Sequence, residues 1–256
     1  HIFNKKIERI MFHWGTRVEF TNEIIRNNIK NFKYVYQHYS VNELYNSLPQ
    51  NVPVIIVAAG PSLDKNIELL SKAKGKACII ACDTALKPLL RREIIPDFFV
   101  VVDPRKPLQL FDNPQIQQIP MITGLNAPYK VLEQHKGKKI LYFDMPLEKE
   151  LFSFVFGKEC KNAKNVMHSL PTGGSVATSA FSVGRLMGAK TIILVGQDLA
   201  LSKEKEHAEG TFIKDRTFDL EDKSLPKIEG IDGQMLPTLS NLKLYKEWFE
   251  DQIEVY

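Results

Sequence analysis

Short apolar runs alternate with amphipathic segments along most of this chain. The first run, Val54 to Val57, has no polar alternation, which indicates a strand buried on both faces, as in a parallel sheet. Similar runs predict strands at 76–82, 98–102, 119–123, 140–143, 166–167 and 191–195. The segments between these strands predict helices at 64–74, 84–92, 128–135, 146–156 and 175–187. This order predicts an α/β fold: a Rossmann-like, mostly parallel sheet with helices on both faces.

The pattern divides the chain into four regions. Residues 1–49 are expected to form a helical N-terminal extension, and residues 50–198 form the Rossmann-like core. Residues 199–239 carry many charges and no clear periodicity, as in a lid or acceptor-binding segment. Residues 240–256 are expected to form a closing helix, and we expect the natural chain to continue beyond this helix.

Both terminal regions show helical spacing of apolar residues. In the extension Ile25, Ile29 and Phe32 recur at intervals of three and four, which predicts an apolar face packed on the core or on a neighbour. In the closing helix Ser240 is the expected N-cap, and the apolar face includes Trp248.

Composition narrows the possible functions. The chain has 256 residues and a formal net charge of +4, which suits an anionic small molecule and does not require nucleic acid. No apolar run approaches the roughly 20 residues that span a bilayer. With no signal peptide and three cysteines that match no zinc spacing, we expect a cytoplasmic protein with reduced thiols, no membrane span and no nucleic-acid partner.

The turn after the first strand, Gly60-Pro61-Ser62, has two possible interpretations. Gly60 permits a close backbone approach, Pro61 suits a turn or a first helical position, and Ser62 can cap the following helix. Such a helix N-terminus at the end of a buried strand can bind an anion. The alternative is an ordinary tight turn of a first βα unit.

Polar residues also follow other predicted strands. Asp83 follows the second strand, Asp103 the third, and Gln197-Asp198 the late strand at 191–195. Each aspartate alone fits a helix N-cap or a turn. Because ligands of open α/β sheets bind beyond the carboxyl ends of the strands, acidic residues at three such ends favour a shared site.

A second Gly/Ser/Thr-rich helix start lies at Thr172-Gly173-Gly174-Ser175. Two glycines let backbone amides approach a ligand, and the hydroxyls add donors, so this segment is a further candidate anion pocket. The alternative is a glycine turn with a serine N-cap. His207, in the segment 199–239, is a candidate acid or base, or a solvated surface residue.

Several common nucleotide and hydrolase motifs are absent. The chain has no Gly-x-x-x-x-Gly-Lys loop, no Gly-x-Gly-x-x-Gly and no Gly-x-Ser-x-Gly. This argues against a Walker-type nucleotidase, a dinucleotide dehydrogenase and an α/β-hydrolase. The residues indicate no metal site and no firm cofactor.

An ordered set of short motifs carries a family resemblance. The set comprises Gly60-Pro61-Ser62-Leu63-Asp64-Lys65, Asp83-Thr84-Ala85-Leu86, Pro96-Asp97, Asp103-Pro104, Gly173-Gly174-Ser175-Val176-Ala177-Thr178 and Gly196-Gln197-Asp198-Leu199-Ala200. Over about residues 50–256 it resembles the motility accessory factor (Maf) family of flagellin glycosyltransferases. The resemblance implies transfer of a nonulosonic acid, of the pseudaminic or legionaminic type, from a CMP-activated donor to flagellin Ser or Thr.

Bacterial sialyltransferases share part of this set, and the resemblance implies a sialyltransferase-like fold. Carried over by position, Gly60, Pro61 and Ser62 would contact the nucleotide, and Asp83 stands where those enzymes have an asparagine that contacts it. The loop Thr172 to Ser175 would lie along the phosphate and the sugar carboxylate, although Gly173 replaces a serine. No residue matches their catalytic histidine.

The candidate catalytic residues are therefore Asp103, Asp198 and His207, and the binding residues also include Gln197. A first alternative follows from archaeal 6-hydroxymethylpterin diphosphokinase-like (MptE-like) proteins, which share the Gly-Pro-Ser turn. That resemblance implies a pterin pyrophosphokinase that uses ATP and magnesium. A second alternative is a non-catalytic, flagellin-binding motility module.

Overall fold

A computed structural model describes Met11 and residues 14–144, 169–201, 207–211 and 218–255. Its main sheet contains seven strands: β1 Tyr39–Ser40, β2 Val54–Val57, β3 Cys78–Cys82, β4 Phe98–Val101, β5 Met121–Gly124, β6 Lys139–Tyr142 and β7 Ile192–Val195. The α-helices among the described residues include α1 Thr21–Asn31, α2 Tyr34–Gln37, α3 Leu63–Ala73, α4 Leu86–Leu90, α5 Tyr129–Gln134, α6 Val176–Leu186 and α7 Ser240–Val255.

All neighbouring strands of the main sheet are parallel, in the order β1-β6-β5-β4-β3-β2-β7. Strands β2 to β6 succeed one another in one direction, whereas β7 pairs with the opposite side of β2. The strand order therefore reverses between β2 and β7. Crevices at such a reversal are the usual ligand sites of open parallel sheets.

Side chains of each central strand alternate between two apolar cores. Ile55 and Val57 of β2 face one core with helices α3, α4 and α5, while Val54 and Ile56 face the other core with α6 and α7. Because both faces are covered, the run Val54 to Val57 is buried throughout. The predicted α/β class and parallel sheet are confirmed.

Most predicted core elements are present, with shifted ends. The segment 84–92 begins with a 3₁₀ turn at Asp83–Ala85 before α4. The predicted strand at 166–167 and helix at 146–156 lie outside the described residues. The closing helix α7 begins at Ser240 itself, so this serine is helical, and the helix buries Trp248.

Helix α1 packs with a face that its apolar pattern does not predict. Ile25 and Ile29 are 53% and 71% exposed, while Asn27 and Asn31 are buried. The Nδ2 of Asn31 donates to the carbonyl oxygens of Leu125 (2.8 Å) and Ala127 (2.7 Å). Ile25 and Ile29 therefore do not pack on the core, and packing on a neighbour stays a prediction. The loop after β5 presents carbonyl groups that need donors, and the asparagines satisfy them.

The segment 199–239 contains a two-stranded antiparallel hairpin. Its strands are β8 Lys227–Glu229 and β9 Met235–Pro237. The Leu201 amide donates to the Pro237 carbonyl (2.8 Å), and the buried Thr238 hydroxyl donates to the Leu199 carbonyl (2.7 Å). The described part of this segment is therefore anchored near the end of β7.

The cysteines of β3 are buried thiols. Cys78 and Cys82 are free. Burial raises the pKa of Cys78 to about 12 and also raises the pKa of Cys82, so both stay protonated at neutral pH. Among the described helices, none combines the length and apolarity needed to cross a bilayer.

Candidate functional site

The carboxyl ends of β2 and β7 are joined through Asp198. Its Oδ2 accepts a hydrogen bond from the Ser62 amide (3.0 Å), and the Gly60 amide donates to the Gly196 carbonyl (2.8 Å). A Cβ on Gly60 would overlap the Asp198 carboxylate and lie 2.5 Å from the Gly196 oxygen. Gly60 is thus required for this close approach between the two strand ends.

The expected capping role of Ser62 is wrong. Ser62 precedes α3 with helical dihedrals and its side chain makes no capping bond. Asp198 instead supplies a carboxylate to the helix N-terminus, where negative charge is favourable. One amide that the sequence offers to a ligand phosphate is therefore already bonded within the chain.

Residues 207–211 lie against the same turn. The Ala208 amide donates to the Ala59 carbonyl (2.7 Å), and the Glu209 amide donates to the Asp64 carboxylate (3.0 Å). Ala208 is buried. These bonds place the backbone of His207 beside the end of β2, about 150 residues earlier in the chain.

Gln197 lies between Gly196 and Asp198 at the end of β7. Its Oε1 is buried and has no hydrogen-bond donor within the described parts of the chain. Buried polar atoms of native proteins normally have a partner, so this amide oxygen suits a donor supplied from outside the fold.

A buried ion pair lies at the end of β3. The Lys106 Nζ is 3.1 Å from the Asp83 Oδ1, and these side chains are 11% and 1% exposed. Lys106 also donates to the Thr84 hydroxyl (3.1 Å). Burial alone would lower the pKa of Lys106, but the carboxylates of Asp83 and Asp103 raise it above its usual value.

Lys106 was not among the residues predicted for the site. The sequence signal that points to it is its position three residues after the strand-end Asp103, in Asp103-Pro104-Arg105-Lys106. The Arg105 amide donates to the Asp103 Oδ1 (2.9 Å), so the turn itself is held by Asp103. This bond confirms the turn-forming alternative for Asp103 without excluding a second role.

Helix α7 adds Tyr245 to the neighbourhood of Asp103. Burial raises the pKa of Tyr245, a hydrogen bond with Asn241 opposes the shift, and the Asp103 carboxylate adds to it. The closing helix therefore contributes a phenol within electrostatic range of a strand-end carboxylate.

The loop Thr172 to Ser175 precedes α6, which packs on β2, β3 and β4. Ser175 caps the helix, as its alternative interpretation predicts: its side chain accepts from the Thr178 amide (3.2 Å). The Thr178 hydroxyl in turn accepts from the amides of Gly173 (3.0 Å) and Ser175 (3.2 Å). Two amides expected to face a ligand are therefore bonded inside the loop, whereas Gly174 is exposed with φ of 90°.

Gly173 is needed for packing against α7. A Cβ at this position would lie 2.5 Å and 2.6 Å from atoms of the Trp248 indole. Trp248 also makes edge contacts with Phe181 and Phe249. The loop thus packs against an aromatic cluster of α6 and α7.

Two further polar residues end the next strands. After β5, the Nδ2 of Asn126 donates to the Asp144 Oδ2, after β6, at 3.0 Å. Burial raises the pKa of Asp144, although Arg17 opposes this shift. Neither residue was predicted: the strand-end residues predicted from the sequence follow β2, β3, β4 and β7, whereas Asn126 and Asp144 follow β5 and β6.

Each strand-end carboxylate already has a donor within the chain. Asp83 is paired with an ammonium group, Asp198 with the Ser62 amide and Asp103 with the Arg105 amide. Among described residues, no three His, Cys, Asp or Glu side chains are grouped closely enough to hold one ion. Mg²⁺ requires oxygen ligands in near-octahedral geometry, which a lysine beside Asp83 disfavours.

Residues 26–204 match the sequence profile of the 6-hydroxymethylpterin diphosphokinase MptE-like family. The chain belongs to this family. The match includes the Gly60 turn, the Asp83–Lys106 pair, the loop before α6 and Asp198, so the family covers all of the strand-end residues described above.

Two proteins of Treponema pallidum (strain Nichols), both described as uncharacterized, are similar to short parts of this MptE-like chain. One is 43% identical over 51 residues, covering 20% of this chain and 24% of its own length. The other is 45% identical over 47 residues, covering 18% of this chain and 12% of its own length. The chain thus spans at most about a quarter of either relative.

Among solved structures, the Maf glycosyltransferase from Magnetospirillum magneticum AMB-1 is similar in fold. The TM-score is 0.66 at 22% sequence identity, and the match covers 91% of this chain and 34% of that one. The resemblance to the Maf and MptE-like group is confirmed at the level of family and fold. The site residues taken from that resemblance stay predictions.

Proposed function

We propose that this MptE-like chain is the catalytic domain of a glycosyltransferase. The donor is a CMP-activated nonulosonic acid of the pseudaminic or legionaminic type, and the acceptor is a Ser or Thr hydroxyl of flagellin. The observation that carries the proposal is the similarity of nearly the whole chain to the fold of a Maf glycosyltransferase. Polar residues at the strand-order reversal give that fold a place for a ligand.

The nucleotide would lie across the ends of β2, β3 and β7. Gln197 offers an unpaired amide oxygen as an acceptor. In the glycine loop, the amides of Gly173 and Ser175 donate to Thr178, which leaves the amides of Thr172 and Gly174 as the candidate donors to the nucleotide. Asp198 acts as a positioning residue, because its Oδ2 fixes the Gly60 turn through the Ser62 amide. Asp83 acts through Lys106, whose ammonium group remains cationic at the strand edge.

In the reaction the bond from the sugar's anomeric carbon to the CMP phosphate oxygen breaks, and the acceptor oxygen bonds to that carbon. CMP leaves with the bonding electrons, and a base takes the hydroxyl proton. The candidate bases that accept this proton are Asp103 and His207. Stabilising the leaving phosphate by fixed donors supplies most of the rate.

Residues 199–239 are the proposed lid or acceptor segment. Their described parts contact the end of β2 through Ala208. The bonds of Leu201 and Thr238 join the hairpin to the first residues after Asp198. A lid anchored in this way can cover a donor bound between the two strand ends. With two buried, protonated thiols, a reducing cytoplasmic location is consistent with the chemistry.

The family description favours a second candidate, a pterin pyrophosphokinase that uses ATP and magnesium. This candidate needs carboxylates that ligate the metal, and the Lys106 ammonium group lies 3.1 Å from the Asp83 carboxylate, where it competes with a metal cation. We therefore rank it below glycosyl transfer. A non-catalytic, flagellin-binding module is the third candidate.

Thermal unfolding with two nucleotides separates the candidates, because a bound ligand raises the apparent Tm by mass action. A glycosyltransferase of this kind is stabilised by CMP without metal. Gln197→Leu, which removes the unpaired amide acceptor, reduces the shift, whereas Gln134→Leu, which removes an amide bonded to Asp112, does not. Stabilisation by ATP with magnesium but not by CMP would favour the kinase. A folded protein stabilised by neither would favour the non-catalytic module.

A further inference from the structure

A second pocket lies beside the strand edge, away from the β2–β7 reversal. It has a volume of about 220 Å³ and lies between α1, the loop after β4 and the start of α5. Its polar lining comprises Arg26, Asn27, Lys106, Tyr129 and Lys130. None of the site residues predicted from the sequence lines it.

The charges of this pocket are of one sign. Three of the lining residues are cations and none is an acid. Glu23, three residues before Arg26 on α1, is bonded to Arg105 (3.0 Å). Lys106 is neutralised on its inner side by Asp83, whereas Arg26 and Lys130 have no carboxylate within ion-pair distance in the described parts of the chain. With Glu23 bonded to Arg105 and Asp83 to Lys106, the positive charge of Arg26 and Lys130 attracts an anion.

A single buried side chain fixes the pocket walls. The Nδ2 of Asn27 donates to the carbonyls of Asn126 (2.9 Å) and Pro104 (3.2 Å), and its Oδ1 accepts from the Tyr129 amide (3.3 Å). Asn27 is 2% exposed. Helix α1 and both loops are therefore held together at one point, and Arg26 and Lys130 flank that point in sequence and space. Both cations are exposed, and they project from the segments that Asn27 joins.

We propose that this pocket binds an oxyanion, a phosphate or a carboxylate group. Arg26 and Lys130 make the charged contacts at the rim, and Lys106 completes the set from within. Because Lys106 contacts Asp83 at the end of β3, an anion here lies next to the proposed nucleotide site. The binding itself does not depend on the proposed transferase function.

The test uses the full chain and two probes, inorganic phosphate and free N-acetylneuraminate, at constant ionic strength maintained with chloride. Calorimetry or NMR titration is expected to show saturable binding of at least one probe. Arg26→Gln and Lys130→Gln are each expected to weaken it about tenfold, as the loss of a charged hydrogen bond implies. Lys30→Gln, an exposed change four residues further along α1 and outside the pocket, is the matched control and leaves binding unchanged.

Phosphate binding alone assigns a phosphate group to the pocket, and N-acetylneuraminate binding alone assigns a carboxylate. The proposal is overturned if neither probe binds, or if the folded double variant Arg26→Gln/Lys130→Gln binds as tightly as the parent. CMP titration of the same variants keeps the two proposals separate: CMP bound at the ends of β2, β3 and β7 still binds the double variant, whereas CMP bound in the pocket through its phosphate does not. Failure of the pocket proposal leaves CMP binding intact.

Discussion

Substituting Lys106 with methionine tests the most informative electrostatic feature of the structure. The change keeps most of the apolar stem and removes the ammonium group from the Asp83 carboxylate, 3.1 Å away. Asp83 is 1% exposed, and its Oδ2 has no hydrogen-bond partner among described atoms. After the substitution, only the amide (2.7 Å) and hydroxyl (3.0 Å) of Thr84 remain as donors to this carboxylate.

The expected cost is about 3–5 kcal/mol of unfolding free energy, the range for removing one partner of a buried pair. Coulomb attraction at this distance, with an effective dielectric constant of about 20, gives about 5 kcal/mol as an upper value. Urea unfolding at pH 7, followed by circular dichroism, measures the loss. Lys130→Met, at an exposed position, is the control and should cost less than about 0.5 kcal/mol.

Two companion measurements make the reasoning refutable. Adding Asp83→Asn to Lys106→Met removes the uncompensated charge and should restore part of the lost stability. The second measurement repeats both unfolding curves at a higher salt concentration: because the pair is buried, the difference between the parent and Lys106→Met should change little. A cost below about 1 kcal/mol at pH 7, or a double variant no more stable than the single one, would refute this account.

Three other predictions concern the fold around the site. Burial, and to a lesser extent Lys139, lowers the pKa of His135 to about 4, so the stability that the neutral imidazole confers above pH 6.5 is lost as the pH falls towards 4. His135→Gln should therefore reduce the pH dependence of the unfolding free energy, measured with urea, between pH 6.5 and 4. An unchanged pH dependence would contradict this. Asn31→Ala should cost about 1–3 kcal/mol in urea unfolding by leaving two carbonyls without donors, whereas the exposed change Ile29→Ser should cost little. Gly173→Ala should lower stability by about 1–3 kcal/mol and quench or shift Trp248 fluorescence, and an unaltered emission spectrum would count against the contact.

The sheet could be predicted from the sequence because its strands are buried on both faces. Val54 to Val57 has no polar residue to interrupt it, and its ends coincide with those predicted. Apolar runs bounded by turn residues are a local signal, and parallel order follows from the helices between them. The strand order reversal at β2 is a property of the whole chain, which local patterns do not specify.

Helix α1 shows that the same signal does not identify the core-facing side of the extension. Ile25 and Ile29 recur at helical spacing, yet the structure exposes them and buries Asn27 and Asn31. The deciding factor is the set of carbonyl oxygens around Asn126, nearly a hundred residues later, which require donors. The sequence of residues 21–31 alone cannot indicate that these distant carbonyl oxygens need donors.

Positions of the candidate site residues were easier to predict than their partners. The Gly60 turn, Gln197 and Asp198 do meet at one strand edge, as their shared position after strands predicts. That Asp198 bonds the Ser62 amide, and that Thr178 bonds two amides of the glycine loop, depends on side-chain geometry. Lys106 was missed because a lysine in a loop gives no signal until its carboxylate partner is known.

The most direct test of the central claim is a calorimetric titration of CMP into the folded chain without metal. The proposed glycosyltransferase predicts saturable binding of one CMP per chain, weakened by Gln197→Leu but not by the control Gln134→Leu. The absence of heat at millimolar CMP, from a protein whose cooperative unfolding shows that it is folded, would contradict a CMP-sugar site at the ends of β2, β3 and β7.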